Sequence, residues 1–272
     1  MNKKIGIIFF IVGFIAFSFF HISAKEISEK EYIKVDSILW NNFEIEQMKL
    51  WDLMEENPTN RDSLRKALRT LEEITYKTNV DLAIEYSSVP SGLKRVFMVR
   101  NQIEKSKLKD IYNSLSDSMQ RSYYGELLKE YIMTQQLKEG DPFEPFECYL
   151  PDGNLYDWSD LKDGKILLVF SGLGCMGRDG REIIKQWNNA GWTIIDYQIV
   201  NNLQQLQDEA VIYNLGNKNV ADFKGDGSPM KIKYDAQAAP TCFLIDENGI
   251  IKMISIGLTK ELKDAMGVEL NL

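Results

Sequence analysis

Lys165 to Gln186 reads KILLVFSGLGCMGRDGREIIKQ: a short apolar run, then a cysteine at the mouth of a helical pattern. Ile166 to Phe170 is too short for a helix of its own and lies between Gly164 and the Ser171-Gly172 pair, which predicts a buried strand. The turn after it delivers Cys175. A strand running straight into a helix leaves the first helical N–H groups unpaired, and their partial positive charge favours a thiolate. The helix is expected to run to about Asn189 and stop at Gly191, with Gly177 and Gly180 weakening its first turns.

Working outward, Phe146 to Leu150 and Leu155 to Trp158 flank the turn sequence Pro151-Asp152-Gly153-Asn154, which predicts a hairpin. After the Cys175 helix come a strand over Thr193 to Val200 and a helix over Leu203 to Tyr213. Asn214 to Gly227 reads as a long loop, and Pro229 to Tyr234 as a helical turn. Thr241 to Ile245 and Ile250 to Ile256 pair across Asp246-Glu247-Asn248-Gly249, and Thr259 to Met266 closes the chain as a helix.

Three segments carry a family resemblance. Pro240-Thr241-Cys242-Phe243-Leu244-Ile245-Asp246-Glu247-Asn248-Gly249 resembles the PTTFLID-x-x-G segment of the TlpA/ResA-like thioredoxin superfamily. Gly140-Asp141-Pro142-Phe143-Glu144-Pro145-Phe146 is similar to its G-x-x-x-P-x-F lead-in, and Phe170 to Arg178 stands where the family has F-W-A-x-W-C-x-x-C. The first cysteine is kept as Cys175, both tryptophans are lost, and Arg178 replaces the second cysteine. The resemblance implies an α/β thioredoxin-like fold from residue 139 to 272, a central mixed sheet flanked by helices with an N-terminal hairpin. Strand, helix, strand, helix, two adjacent strands and a helix is the order that fold requires. By the same resemblance Pro240 takes the place of the family's cis-proline. Gly174, Met176, Ala239 and Pro240 become the substrate-facing positions, and Cys175 with Arg178 the catalytic ones.

The missing groups limit the chemistry. A dithiol enzyme resolves its mixed disulfide with the second cysteine, which Arg178 cannot do. Thioredoxins place an acid on the strand before the motif, where this chain has Val169. ResA-like members place a glutamate after the next strand, where the nearest match is Asn201. The peroxiredoxin relatives need Thr or Ser three residues before the cysteine, and Gly172 stands there. Cys175 therefore has two open readings: a nucleophile whose thiolate is favoured by the helix terminus and the Arg178 guanidinium, or a small apolar filler at a strand end. Cys242, mid-strand, and Cys148, on the hairpin, are expected to be buried inert thiols. The partners implied are protein or small-molecule thiols and disulfides, with an envelope protein as a further candidate; no cofactor is implied. A redox-silent binding or scaffold protein is the alternative.

Residues 25–138 carry apolar residues at helical spacing and almost no glycine before Gly92, which predicts an all-α domain. The helices are expected to break at Pro58, restart at Thr59 or Asn60, restart again after Pro90 and near Ser106, and end in one helix from Asp117 to Leu137.

Met1 to Ala24 has a basic start, an apolar run from Ile5 to Phe20 and a small-residue end at Ile22-Ser23-Ala24. It reads as a signal peptide for export to the periplasm or cell envelope, with an N-terminal membrane anchor as the alternative. The whole chain of 272 residues carries −8, and the part beyond this segment −10, because the segment holds Lys3 and Lys4 and no acid. That balance argues against nucleic acid, whose phosphates demand clustered Lys and Arg. The single histidine, His21, lies in the same segment, so the remainder has no Cys-His or Ser-His pair and no histidine metal ligand. An odd number of cysteines, three, leaves at least one without an intrachain partner.

Overall fold

The computed structural model describes residues 27–159 and 165–267. The proposed export segment lies outside the described residues. The chain divides into two compact units, Met1–Lys129 and Glu130–Leu272.

The first unit is helical. Ser28 caps α1 (Glu29–Glu56) by accepting the Glu31 N–H at 3.3 Å, and Asn57-Pro58 ends it. Asn60 then stands at the N-cap of α2 (Arg61–Glu85) without a side-chain cap bond. The two long helices pack through Tyr32, Leu39, Leu82 and Tyr86, joined by Val89. α3 (Pro90–Met98) starts at Pro90, whose missing N–H costs nothing in a first turn. It is tied back to α1 where Arg95 Nη2 donates to both Asp36 oxygens at 3.0 Å. α4 (Lys105–Ser114) follows. The expected single helix from Asp117 to Leu137 is instead two, α5 (Asp117–Gln120) and α6 (Tyr123–Met133). The break comes at Arg121-Ser122, where the Ser122 hydroxyl accepts the Gly125 N–H at 3.3 Å and competes with the helical backbone.

The second unit is built on a five-stranded mixed sheet in the order β3-β2-β1-β4-β5. β1 (Lys165–Phe170) is central, parallel to β2 (Thr193–Tyr197) and antiparallel to β4 (Thr241–Asp246). β3 (Lys218–Val220) runs parallel to β2, and β5 (Ile251–Ile256) antiparallel to β4. Between the strands lie α7 (Gly177–Asn189), α8 (Leu203–Ile212) and the short α9 (Pro229–Ile232), with α10 (Lys260–Met266) after β5. With β3 and α9 set in before β4, the unit contains the strand and helix order of the thioredoxin fold.

Every residue of β1 after Lys165 is buried, because helices or loops cover both faces of the sheet. Alternation divides them. Ile166, Leu168 and Phe170 enter a cluster with Cys148, Tyr197, Tyr234 and Phe243. Leu167 and Val169 enter the opposite cluster with Ile183, Ile184, Trp187, Ile194 and Cys242.

Two expectations change here. The hairpin before β1 is reduced to an isolated antiparallel bridge, Tyr149 with Leu155, since Tyr149 also pairs with Ala221 and the chain turns away. The loop expected over Asn214 to Gly227 contains β3, whose three residues include Lys218 and Asn219, too short and too polar to read as a strand.

Candidate functional site around Cys175

β1 ends at Phe170, and Ser171 then takes a positive φ of 46°, a left-handed conformation rare for a residue with a side chain. Its N–H donates to the Tyr197 carbonyl at 2.7 Å. Gly172 follows in a space that admits no side chain. A Cβ there would lie 2.3 Å from the Pro240 Cβ and 2.7 Å from the Val169 Cγ1. The Gly172 carbonyl accepts the Cys175 N–H at 3.0 Å, which closes the turn and brings Cys175 to the surface. Cys175 is exposed and free of any disulfide.

Met176 is the N-cap of α7, so Cys175 stands one residue outside the helix, next to its unpaired N–H groups. Gly177 has a φ of 65°, and Gly180 fits closely against Met176, a Cβ there meeting the Met176 Cβ at 2.7 Å. These two glycines supply the conformation and clearance that the start of α7 demands. Arg178 projects into solvent beside Asp179, with N and O 3.7 Å apart and side chains 94% and 86% exposed, an ion pair of little energetic weight.

Gly174 is exposed and borders Tyr213, whose hydroxyl oxygen would lie 2.9 Å from a Cβ at this position. On the other side lies the loop before β4. The Ala239–Pro240 peptide bond is cis, Ala239 is exposed, and Pro240 is half-buried against Gly172. Pro240 has no N–H, and its carbonyl already accepts the Gly257 N–H at 2.8 Å. Of the sequence-predicted residues, Gly174, Cys175 and Met176 share one turn, Ala239 and Pro240 share the loop packed on that turn, and Arg178 lies outward on the helix.

The other two thiols are enclosed. Cys148 and Cys242 are fully buried and free. Burial pushes the Cys148 thiol up to about 12, with the Asp222 charge adding to the effect. Burial does the same for Cys242, to about 12, with Asp196 adding. Both are held as neutral thiols, far from the thiolate form that reacts.

Val169 and Asn201 stand where the resemblance expects acids, and the acid that strand pairing brings beside Val169 is Asp196, which the resemblance does not point to. Asp196 is fully buried on β2 and pairs in register with Val169. It shares a sheet face with Ile194 two residues before it. Burial raises its carboxyl to about 7, while the Gly172 N–H and the Gln198 side chain hold it back and Glu209 adds to the rise. One carboxyl oxygen, Oδ2, accepts from the Gln198 amide. Among the described residues the other, Oδ1, has no partner in hydrogen-bonding geometry. The signal was present: an acid inside Thr193-Ile194-Ile195-Asp196-Tyr197, an otherwise apolar strand, is seldom buried without a reason. Tyr213 left no comparable mark, since nothing local ties it to Gly174.

Neither a family model nor a curated protein matches the sequence. Solved structures do. A thiol-disulfide oxidoreductase from Bacteroides fragilis is 19% identical over 47% of this chain and 99% of its own, with a TM-score of 0.39. The thioredoxin domain of a thiol-disulfide oxidoreductase from Bacteroides vulgatus is 18% identical over 48% of this chain and 97% of its own, with a TM-score of 0.41. The fold assignment rests on the strand order and pairings described above.

Proposed function

We propose that this is an exported thioredoxin-like protein in which Cys175 performs monothiol disulfide exchange with protein or small-molecule partners. One observation carries the reading. Of the three thiols, Cys175 alone is exposed, and it sits beside the N-terminus of α7 while Cys148 and Cys242 are sealed in the two cores.

In this reading the Cys175 thiolate attacks one sulfur of an external disulfide. A bond forms between Cys175 Sγ and that sulfur, the original S–S bond breaks, and the leaving thiolate takes a proton from water. With Arg178 in place of a second cysteine, the mixed disulfide persists until a second external thiolate attacks it. That attack forms a new disulfide with the bound fragment and returns Cys175 as thiolate. The external thiol is the reductant, and Cys175 carries the fragment between partners. Gly174, Met176 and the Ala239-Pro240 loop form the surface against which the partner lies, and Tyr213, beside Gly174, extends it. Arg178, in solvent, contributes a diffuse positive potential near the incoming disulfide.

Exposure to oxidised glutathione tests the reading. The full chain is expected to take up one glutathione, mapped to Cys175 and released by excess free thiol, while Cys175→Ser takes up none. A chain that takes up no glutathione, yet still binds a partner unchanged by Cys175→Ser, is the redox-silent binding protein instead.

A further inference from the structure

The helical unit presents a face that its own packing leaves open. α1 buries Tyr32, Leu39, Phe43 and Met54. At 3.6 residues per turn, the side of α1 opposite these four carries Lys30, Lys34, Ile38, Asn41, Ile45, Met48, Asp52 and Glu56, each three or four residues from the next. All of them are exposed, Ile38, Ile45 and Met48 to 44%, 43% and 59%. A single exposed apolar residue needs no partner, but three in one stripe at this spacing, bounded by charge at both ends, have the pattern of a helix–helix seam.

The order of residues along the stripe identifies what fits it. Its N-terminal end is basic, through Lys30 and Lys34, and its C-terminal end is acidic, through Asp52 and Glu56. The two ends lie at equal distances from position 43. We propose that α1 is a homodimer seam, pairing antiparallel with α1 of a second copy about a two-fold axis at the level of Phe43. In that register Ile38 meets Met48, Asn41 meets Ile45, Lys34 meets Asp52 and Lys30 meets Glu56, and symmetry makes each pair twice. A parallel copy would set Lys34 against Lys34 and Asp52 against Asp52, which repel. The stripe spans about 39 Å at 1.5 Å per residue, long enough for a two-stranded seam. Its apolar middle supplies the burial, the charged ends fix the direction, and Asn41 fixes the register. The exposed Lys34–Glu31 pair within α1, 3.6 Å apart, is weak enough to yield to the new partner.

The test is sedimentation equilibrium of the full chain over a range of concentrations, with a reducing agent present so that no interchain disulfide at Cys175 contributes. The wild type is expected to be a dimer in reversible exchange with monomer. Ile45→Glu, at an exposed position, should leave monomer alone with its helix content unchanged by circular dichroism. Lys34→Glu and Asp52→Lys should each weaken dimerisation by about tenfold, because each reverses two pairs, and the chain carrying both changes should regain the wild-type affinity. That rescue belongs to the antiparallel register, since a parallel pair would repel in every one of these chains. A wild type that is monomeric at every concentration would overturn the inference, whatever else then meets the stripe. A dimer that Ile45→Glu leaves intact, or that the paired charge reversal does not restore, would overturn it too. The inference uses no property of Cys175, so it stands or falls apart from the disulfide-exchange reading.

Discussion

Ser171 and Gly172 meet opposite demands. Ser171 is held at a φ of 46°, which a residue with a Cβ adopts at a cost, and Gly172 lies where any Cβ would strike Pro240. Ser171→Gly is therefore expected to raise stability by up to about 1 kcal/mol, since glycine reaches this conformation without strain. Gly172→Ala should lose about 1–3 kcal/mol by overpacking. Thermal unfolding of the two variants checks both signs. The sequence placed a turn here from the Ser-Gly pair, and that much was local. It could not show which of the two residues carries the strain, because the obstacle to a side chain comes from Pro240, far along the chain. The same distance hid Tyr213 beside Gly174.

At the level of elements, β1 and α7 were legible because their signals are local: an apolar run bounded by glycines, then spaced Ile183, Ile184 and Trp187 ending at Gly191. β3 was not, since Lys218-Asn219-Val220 offers a single apolar residue, Val220, which joins the Ile195 and Tyr197 cluster only once the backbones have paired. The helix expected over Asp117 to Leu137 showed the converse error. Its apolar spacing continues through Arg121-Ser122, but the serine's hydroxyl offers the backbone a competing bond. The expectation for Cys242 as a mid-strand thiol makes a sharper claim. It is wholly enclosed on β4 opposite Val169, in an apolar cluster with Leu167, Trp187 and Leu262. Cys242→Ser exchanges a weakly polar thiol for a hydroxyl in that cluster, which should cost about 1–3 kcal/mol. Denaturant unfolding would read it, and a loss well below that range would mean the hydroxyl finds a partner.

For the molecule as a whole, Asp196 makes stability depend on pH in the direction opposite to an ion-paired carboxylate. Its carboxyl stands at about 7 in the fold against 3.8 as the unperturbed value. Between these two values the unfolded chain has released the proton and the folded chain still binds it. Stability therefore falls as pH rises through this window, with the full loss present above about pH 7. The difference corresponds to an upper figure of about 4 kcal/mol at 1.36 kcal/mol per unit. Asp196→Asn should flatten the slope between pH 4 and 7, measured by denaturant midpoints across that range. A slope unchanged in the variant would assign it to other groups. The strand order of this unit was legible through the resemblance rather than through periodicity, because PTCFLID and the Cys175 turn lie far apart in sequence yet meet at Gly172 and Pro240. Among the described residues no helix is long and apolar enough to cross a membrane.

The central claim is that Cys175 is a reactive thiol and not a filler at a strand end. Alkylation of the native full chain with iodoacetamide across pH, with the modified residue mapped by mass spectrometry, tests it directly. The account predicts that Cys175 is modified alone and faster than a free peptide cysteine near neutral pH, with Cys148 and Cys242 reacting only on unfolding. Modification of Cys175 no faster than the peptide at any pH would contradict it.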